Sequence, residues 1–157
     1  RLDFDMIFGP AYKGIPLAAS VAMNLSRMGC DVPWAFNRKE IKDHGEGGMI
    51  VGAPLKGRVV IIDDVISTGS SMKIIEANNA SPSGVLIAVD RMERGGTADA
   101  PTATSAVQDV EKTFGLSVVS IINLHDLLAF MDGPSEKAKT VAQYRDAVAA
   151  YRARYGA

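Results

Sequence analysis

The sequence predicts an α/β fold in which a central parallel sheet is flanked by helices, and three observations carry that expectation. Val59, Val60, Ile61 and Ile62 form a short β-branched run without polar alternation. Such a run suits a strand covered on both faces and therefore a parallel sheet. Short apolar runs alternate with stretches of helical spacing along the chain, as right-handed crossovers require. Three of the runs end in polar, unusual turns, and the carboxyl ends of strands are where open α/β sheets place ligand crevices. At 157 residues, 47% hydrophobic and 22% charged, the chain has the size and composition of one globular domain with a real core.

The elements follow in order. "FDMIFG" (residues 4–9) reads as a first strand, and residues 15–29, "IPLAASVAMNLSRMG", as a helix with a glycine stop. "VPWAFN" (residues 32–37) is a second strand. Residues 38–52, "RKEIKDHGEGGMIVG", carry mixed charge and four glycines, the composition of a long mobile loop. The strand at 58–63 is followed by a turn of small hydroxyl residues and a helix to about residue 77. "GVLIAVDR" (residues 84–91) is another apolar strand ending in charge. Residues 95–106, "GGTADAPTATSA", are flexible in composition and receive no role. A helix through residue 114, the strand "LSVVSII" and the helix "LHDLLAFMD" come next. From residue 135 to 155, Val141, Tyr144, Val148 and Tyr151 recur at three- and four-residue intervals, which predicts one amphipathic helix packed outside the sheet. Trp34 and the seven methionines are expected in the core.

Composition narrows the functional classes. A formal charge of −1 without a basic stripe argues against nucleic acid and against an anionic membrane as a partner. Cys30 is the single cysteine, so it forms no intrachain disulfide and belongs to no metal cluster; a buried small hydrophobe is its expected role. With no apolar run long enough to span a bilayer and no signal-peptide pattern, the expected location is cytoplasmic. His125, at a helix start, reads as a surface or capping residue, since no second metal-type residue stands at ligand spacing.

Three segments carry chemistry. In "RVVIIDDVISTGSS", Asp63 and Asp64 lie at a strand's carboxyl end, and Ser67, Thr68, Gly69, Ser70 and Ser71 suit a tight turn into a helix whose N–H groups and hydroxyls converge on an anion. The GxxxxGK[ST] pattern of a triphosphate loop is absent, so the turn suits a monophosphate; an ordinary serine-capped helix is the alternative. In "GPAYKG", Gly9 and Gly14 allow tight backbone, and Lys13 offers a cation at the same sheet edge; a plain strand-to-helix turn with a solvated lysine is the alternative. In "RKEIKDHGEGG", Arg38, Lys39, Lys42 and His44 stand on a glycine-rich loop. That suits either a solvated charged loop or a cationic lid closing over a polyphosphate leaving group.

Together these segments resemble a known family. "VVIIDDVISTGSS" is similar to the phosphoribosyl-pyrophosphate (PRPP) motif of type I phosphoribosyltransferases, and "FGPAYKGIPLA" with "FNRKEIKDHGEGG" resembles the orotate phosphoribosyltransferases within that family. The similarity runs over residues 5–132. It implies the type I phosphoribosyltransferase fold with a mobile catalytic loop, transfer of ribose 5-phosphate from PRPP to orotate in de novo UMP synthesis, and Mg²⁺ carried on the substrate rather than held by a direct protein cage. Position by position, it places Asp63 and Asp64 at the ribose hydroxyls and metal-bound substrate. Val65, Ile66, Ser67, Thr68, Gly69, Ser70 and Ser71 would wrap the 5′-phosphate, and Tyr12 and Lys13 would lie at pyrophosphate. Arg38, Lys39, Lys42 and His44 would form the lid, with Lys42, His44 and Asp64 catalytic, and Arg91 with Ser67 would meet orotate. It further implies a homodimer whose lid completes the neighbour's site, and a cis peptide between Ala11 and Tyr12.

The chemistry agrees independently. Breaking the bond from the anomeric carbon to pyrophosphate builds positive charge on ribose and negative charge on the leaving group, so carboxylates near the sugar and cations near pyrophosphate are both expected. Two features depart from the family pattern. Residues 1–157 are expected to form a single phosphoribosyltransferase domain without the amino-terminal segment, bearing a lysine and aromatics, that covers the orotate ring. The helix "MKIIEANNA" is about one turn shorter than usual. The rival readings are a phosphoribosyltransferase for another base, for which this lid would be wrong, and a PRPP-sensing regulatory protein, against which the net charge argues.

Overall fold

The computed structural model describes residues 2–40, 49–66, 69–97 and 100–157. Six strands form the main sheet. Four apolar segments, β1 (Met6–Gly9), β4 (Arg58–Asp63), β5 (Ser81–Asp90) and β8 (Val118–Asn123), lie side by side in parallel, and β2 (Trp34–Asn37) pairs in parallel on the other flank of β1. The order across the sheet is β3-β2-β1-β4-β5-β8, in which β3 (Ile50–Gly52) is an antiparallel edge strand beside β2.

The continuous apolar run of β4 follows from its position. Val59 and Ile61 face one side with Met6, Phe8, Val85 and Ile87, while Val60 and Ile62 face the other with Ile7. Helix α1 (Gly14–Arg27) covers the second face through Ala18 and Ala22, four residues apart on one stripe. Helix α2 (Ser70–Ala77) covers the first through Met72 and Ile75, joined by Val110 from α3 (Ala106–Phe114). Both faces of the central strand β4 are therefore covered, as its unbroken apolar run requires, whereas Ile121 on the edge strand β8 is exposed. Helices α4 (Leu124–Met131), α5 (Glu136–Val141) and α6 (Arg145–Tyr155) complete the chain.

Several expectations are corrected. The loop expected over 38–52 is closed at its base: the Met49 carbonyl accepts the Arg38 N–H at 2.7 Å, and β3 continues the pairing. Residues 41–48 lie outside the described residues. The segment 95–106, flexible in composition, holds two strands among its described residues: β6 (Arg94–Thr97) and β7 (Ala100–Ser105) form an antiparallel pair, and residues 98–99 lie outside the described residues. The tail is two helices joined by a 3₁₀ turn at Ala142–Tyr144, with Tyr144 and Tyr151 exposed rather than packed. Cys30 is exposed, and so are Met23, Met28 and Met49, whereas Met6, Met72 and Met131 are core. Met23 follows the inward Ala22 by one residue, a rotation of about 100° away from the buried stripe.

Candidate active site

Chain order builds the site. From β1 the chain moves outward to β2 and β3, then returns to β4 on the opposite flank of β1. The direction of winding reverses between β1 and β4, and a crevice opens at the carboxyl ends of strands flanking such a switch point. The turn "GPAYKG" leaves β1 there, and Asp63–Asp64 end β4 there.

Close approach of the two turns needs glycine. A Cβ on Gly14 would stand 2.7 Å from the Ile62 carbonyl oxygen, so only a residue without a side chain lets the start of α1 reach the end of β4. Lys13 then bridges the switch point: its Nζ donates to Asp64 Oδ2 at 2.6 Å. Asp64 is held from behind, since its carbonyl accepts the N–H groups of both Ala88 and Val89 at 3.1 Å. Its own N–H donates to Asp63 Oδ1 at 2.9 Å.

The two carboxylates differ in charge state. Burial pushes Asp63 up to about 6, and the adjacent Asp64 charge adds to the rise. Burial would raise Asp64 as well, but the hydrogen-bonded Lys13 ammonium and the Val65 N–H outweigh it and hold Asp64 below the usual carboxylate value. Lys13 is raised in turn by that hydrogen bond. The pair thus presents one firmly ionised carboxylate beside one that gains a proton readily.

Beyond Asp64, a cavity of about 250 Å³ is lined by Pro10, Ala11, Lys39, Asp63, Val65, Ile66, Gly69, Ser70 and Ser71. Gly69 caps α2 with φ +64°, and the amino end of that helix, with Ser70 and Ser71, lines the cavity, where the positive end of the helix dipole suits an anion. A second cavity of about 170 Å³ shares Val65 and Ile66 with the first and is walled by Asp90, Arg91, Glu93 and Arg94. The two chambers meet at Val65–Ile66.

The structure brings Lys13, Lys39, Asp63, Asp64, Val65, Ile66, Gly69, Ser70 and Ser71 together. The Lys39 ammonium lies 4.7 Å from the centre of the Tyr12 ring, which places Tyr12 on the same rim. Arg38 sits at the base of the loop beside Tyr12 and Lys39. Arg91 is in the second chamber, ion-paired to Glu93 at 3.1 Å. Lys42, His44, Ser67 and Thr68 lie outside the described residues. The peptide between Ala11 and Tyr12 is cis. His125 is exposed, its N–H donating to the Asn123 cap.

Two site residues escaped the sequence reading. Asn37 is buried at the end of β2, and its Oδ1 accepts the Ala11 N–H at 2.9 Å, tying the turn after β1 to the root of the charged loop. An uncharged polar residue closing an apolar strand was the available signal. Glu93 was the other, visible as a carboxylate two residues after Arg91.

Among the described residues no three His, Cys, Asp or Glu side chains converge as an all-protein metal cage. Two adjacent carboxylates suit Mg²⁺ differently, since that ion keeps waters and binds through one or two carboxylates plus substrate phosphates. The donor set therefore fits a metal delivered on a diphosphate ester.

Comparison with known proteins identifies the family. A model of the phosphoribosyl transferase domain matches residues 2–110. The orotate phosphoribosyltransferase of Herminiimonas arsenicoxydans is 58% identical over 159 aligned residues, covering 99% of this chain and 72% of the relative. That of Bordetella petrii is also 58% identical, covering 99% and 71%. The crystal structure of orotate phosphoribosyltransferase from Francisella tularensis superposes with a TM-score of 0.75 at 30% identity, covering 99% of this chain and 72% of that one. With the switch-point crevice, the paired carboxylates and these relatives in agreement, the chain belongs to the phosphoribosyltransferase family, among its orotate phosphoribosyltransferases.

Proposed function

We propose that the chain transfers the 5-phosphoribosyl group of PRPP to a ring nitrogen of orotate. The bond from the anomeric carbon to the pyrophosphate oxygen breaks with its electron pair going to oxygen. A carbon–nitrogen bond forms, the nitrogen loses its proton, and orotidine 5′-monophosphate and pyrophosphate result. The observation that carries this reading is the convergence of Lys13, Asp63, Asp64 and the amino end of α2 at one switch point.

Each group has a task in that reaction. The α2 amino end and Ser70–Ser71 bind the 5′-phosphate, and Gly69 lets the backbone turn toward it. Asp64, held ionised by Lys13, orients the ribose hydroxyls and stabilises positive charge developing on the sugar. Lys13 and Lys39 stabilise the departing pyrophosphate, and Arg91 takes the orotate carboxylate. Asp63 and Asp64 would face a substrate-borne Mg²⁺, which when bound neutralises diphosphate charge.

Residues 1–157 act as one phosphoribosyltransferase domain in a homodimer, with Lys42 and His44 of one subunit's loop serving the other subunit's site. The reaction belongs to de novo pyrimidine synthesis, for which a cytoplasmic location is proposed; among the described residues no helix is long and apolar enough to cross a membrane. The test is turnover by the intact gene product with PRPP, Mg²⁺ and either orotate or adenine. Consumption of orotate alone is expected. Consumption of adenine with orotate untouched would overturn the base assignment while leaving the PRPP site standing.

A further inference from the structure

We infer that Glu93 and Tyr151 are positioning residues that fix the Arg91 guanidinium for the carboxylate of the base. The inference rests on the assignment of Arg91 proposed above. Arg91 stands on a tight turn after β5, where Asp90 Oδ1 accepts the Met92 N–H at 2.8 Å and Met92 has φ +54°. Glu93 Oε1 accepts from Arg91 Nη1 at 3.1 Å, and the same oxygen accepts the hydroxyl of Tyr151 from α6. The phenol is raised by that hydrogen bond, so it stays a donor.

An exposed ion pair alone would hold an arginine poorly. Here the backbone beneath it is clamped from two sides. The Glu93 carbonyl accepts the Ala106 N–H at 3.0 Å where α3 begins. The Met92 carbonyl accepts the Ala157 N–H at 3.0 Å, Arg94 Nε donates to the Gly156 carbonyl at 2.8 Å, and Glu93 pairs antiparallel with Gly156. A helix remote in sequence therefore reaches the wall of the second chamber and delivers one hydroxyl to one carboxylate.

The consequence concerns binding entropy. A free arginine loses rotamer freedom when it grips a carboxylate, and ordering it beforehand removes much of that cost. Nη1 is engaged with Glu93, and a guanidinium carries further coplanar N–H donors that suit a planar carboxylate. Tyr151→Phe is the sharpest probe because it removes one hydrogen bond and changes no charge.

The experiment measures kcat and the KM values for orotate and PRPP in the intact protein, for wild type, Tyr151→Phe, Arg91→Ala and the double variant, with thermal midpoints alongside. Tyr151→Phe should raise KM for orotate about three- to tenfold, in the range expected for losing one hydrogen bond of ordinary strength. KM for PRPP should hold, and the substitution should add nothing in the Arg91→Ala background. Glu93→Gln should show the same orotate-specific rise and serves if Tyr151→Phe folds poorly. Arg91→Ala with unchanged KM for orotate would overturn the assignment of Arg91 and this inference with it. A raised KM in Arg91→Ala beside wild-type behaviour in Tyr151→Phe and Glu93→Gln, or equal effects on both substrates, would overturn this inference alone.

Discussion

Asp63 and Asp64 are neighbours of identical chemistry with opposite charge behaviour, and the difference comes from where each carboxyl sits. Asp63, raised to about 6 by burial, is most favourable to folding while protonated. Its contribution is fully present below the ordinary value of 3.8 and is lost as pH rises through about 6. Asp64 has the opposite sign: its pairing with Lys13 stabilises above 3.8 and is lost as pH falls. Asp63→Asn should therefore remove a decline in denaturant midpoint between pH 4 and 7 that wild type shows. Identical pH profiles for the two proteins would contradict the buried environment assigned to Asp63. The carboxylate pair was legible in the sequence as a charged end to an apolar run. Its asymmetry was not, because that depends on the burial of Asp63 in the fold and on Lys13, fifty-one residues from Asp64 along the chain.

Among elements, the amino end of α2 is tightly packed at its cap. Gly69 caps the helix in the left-handed region, and a Cβ there would stand 2.8 Å from the Phe114 ring. Gly69→Ala should cost about 1–2 kcal/mol for the backbone conformation, with the ring contact adding to it. KM for PRPP should rise with the loss of the turn's geometry. A thermal midpoint and KM both equal to wild type would show that the turn is not held as described. Elements with a strong single signal were readable: β4 from its unbroken apolar run and α1 from its helical spacing and glycine stop. The β6–β7 pair was hidden because "RGGT" and "APTATS" are small and polar, without apolar alternation. What ties β7 down is Thr102 and Thr104 donating to Asp109 on α3, a tertiary pairing with no periodicity to read. Apolar spacing in the tail is continuous across residues 141–151 and carries no mark of the 3₁₀ turn at Ala142–Tyr144. Arg145, where α6 begins, is tied back to Asp132 at the end of α4, with Nη2 donating to Oδ2 at 3.0 Å. That local ion pair gives the break between α5 and α6 a partner that spacing does not register.

At the scale of the molecule, the winding order places the turn after β1 beside the end of β4, and no single motif contains that fact. The proposed dimer adds a second chain to the same crevice. With Asp64→Asn in one subunit and Lys42→Ala in the other, each inactive as a homodimer, a loop serving its neighbour leaves one of the two heterodimer sites intact. Mixing should restore activity. Subunits that demonstrably exchange and stay inactive would show that the loop serves its own chain. The most direct measurement of the central claim, that the Asp63–Asp64 edge of β4 is where ribose is transferred, is the turnover of Asp64→Asn with PRPP, orotate and Mg²⁺. The account predicts a folded protein with wild-type secondary structure that loses most of its kcat, by tenfold or more, because the charge beside the developing cation is gone (about 1.4 kcal/mol for each factor of ten). Activity within about twofold of wild type would contradict it.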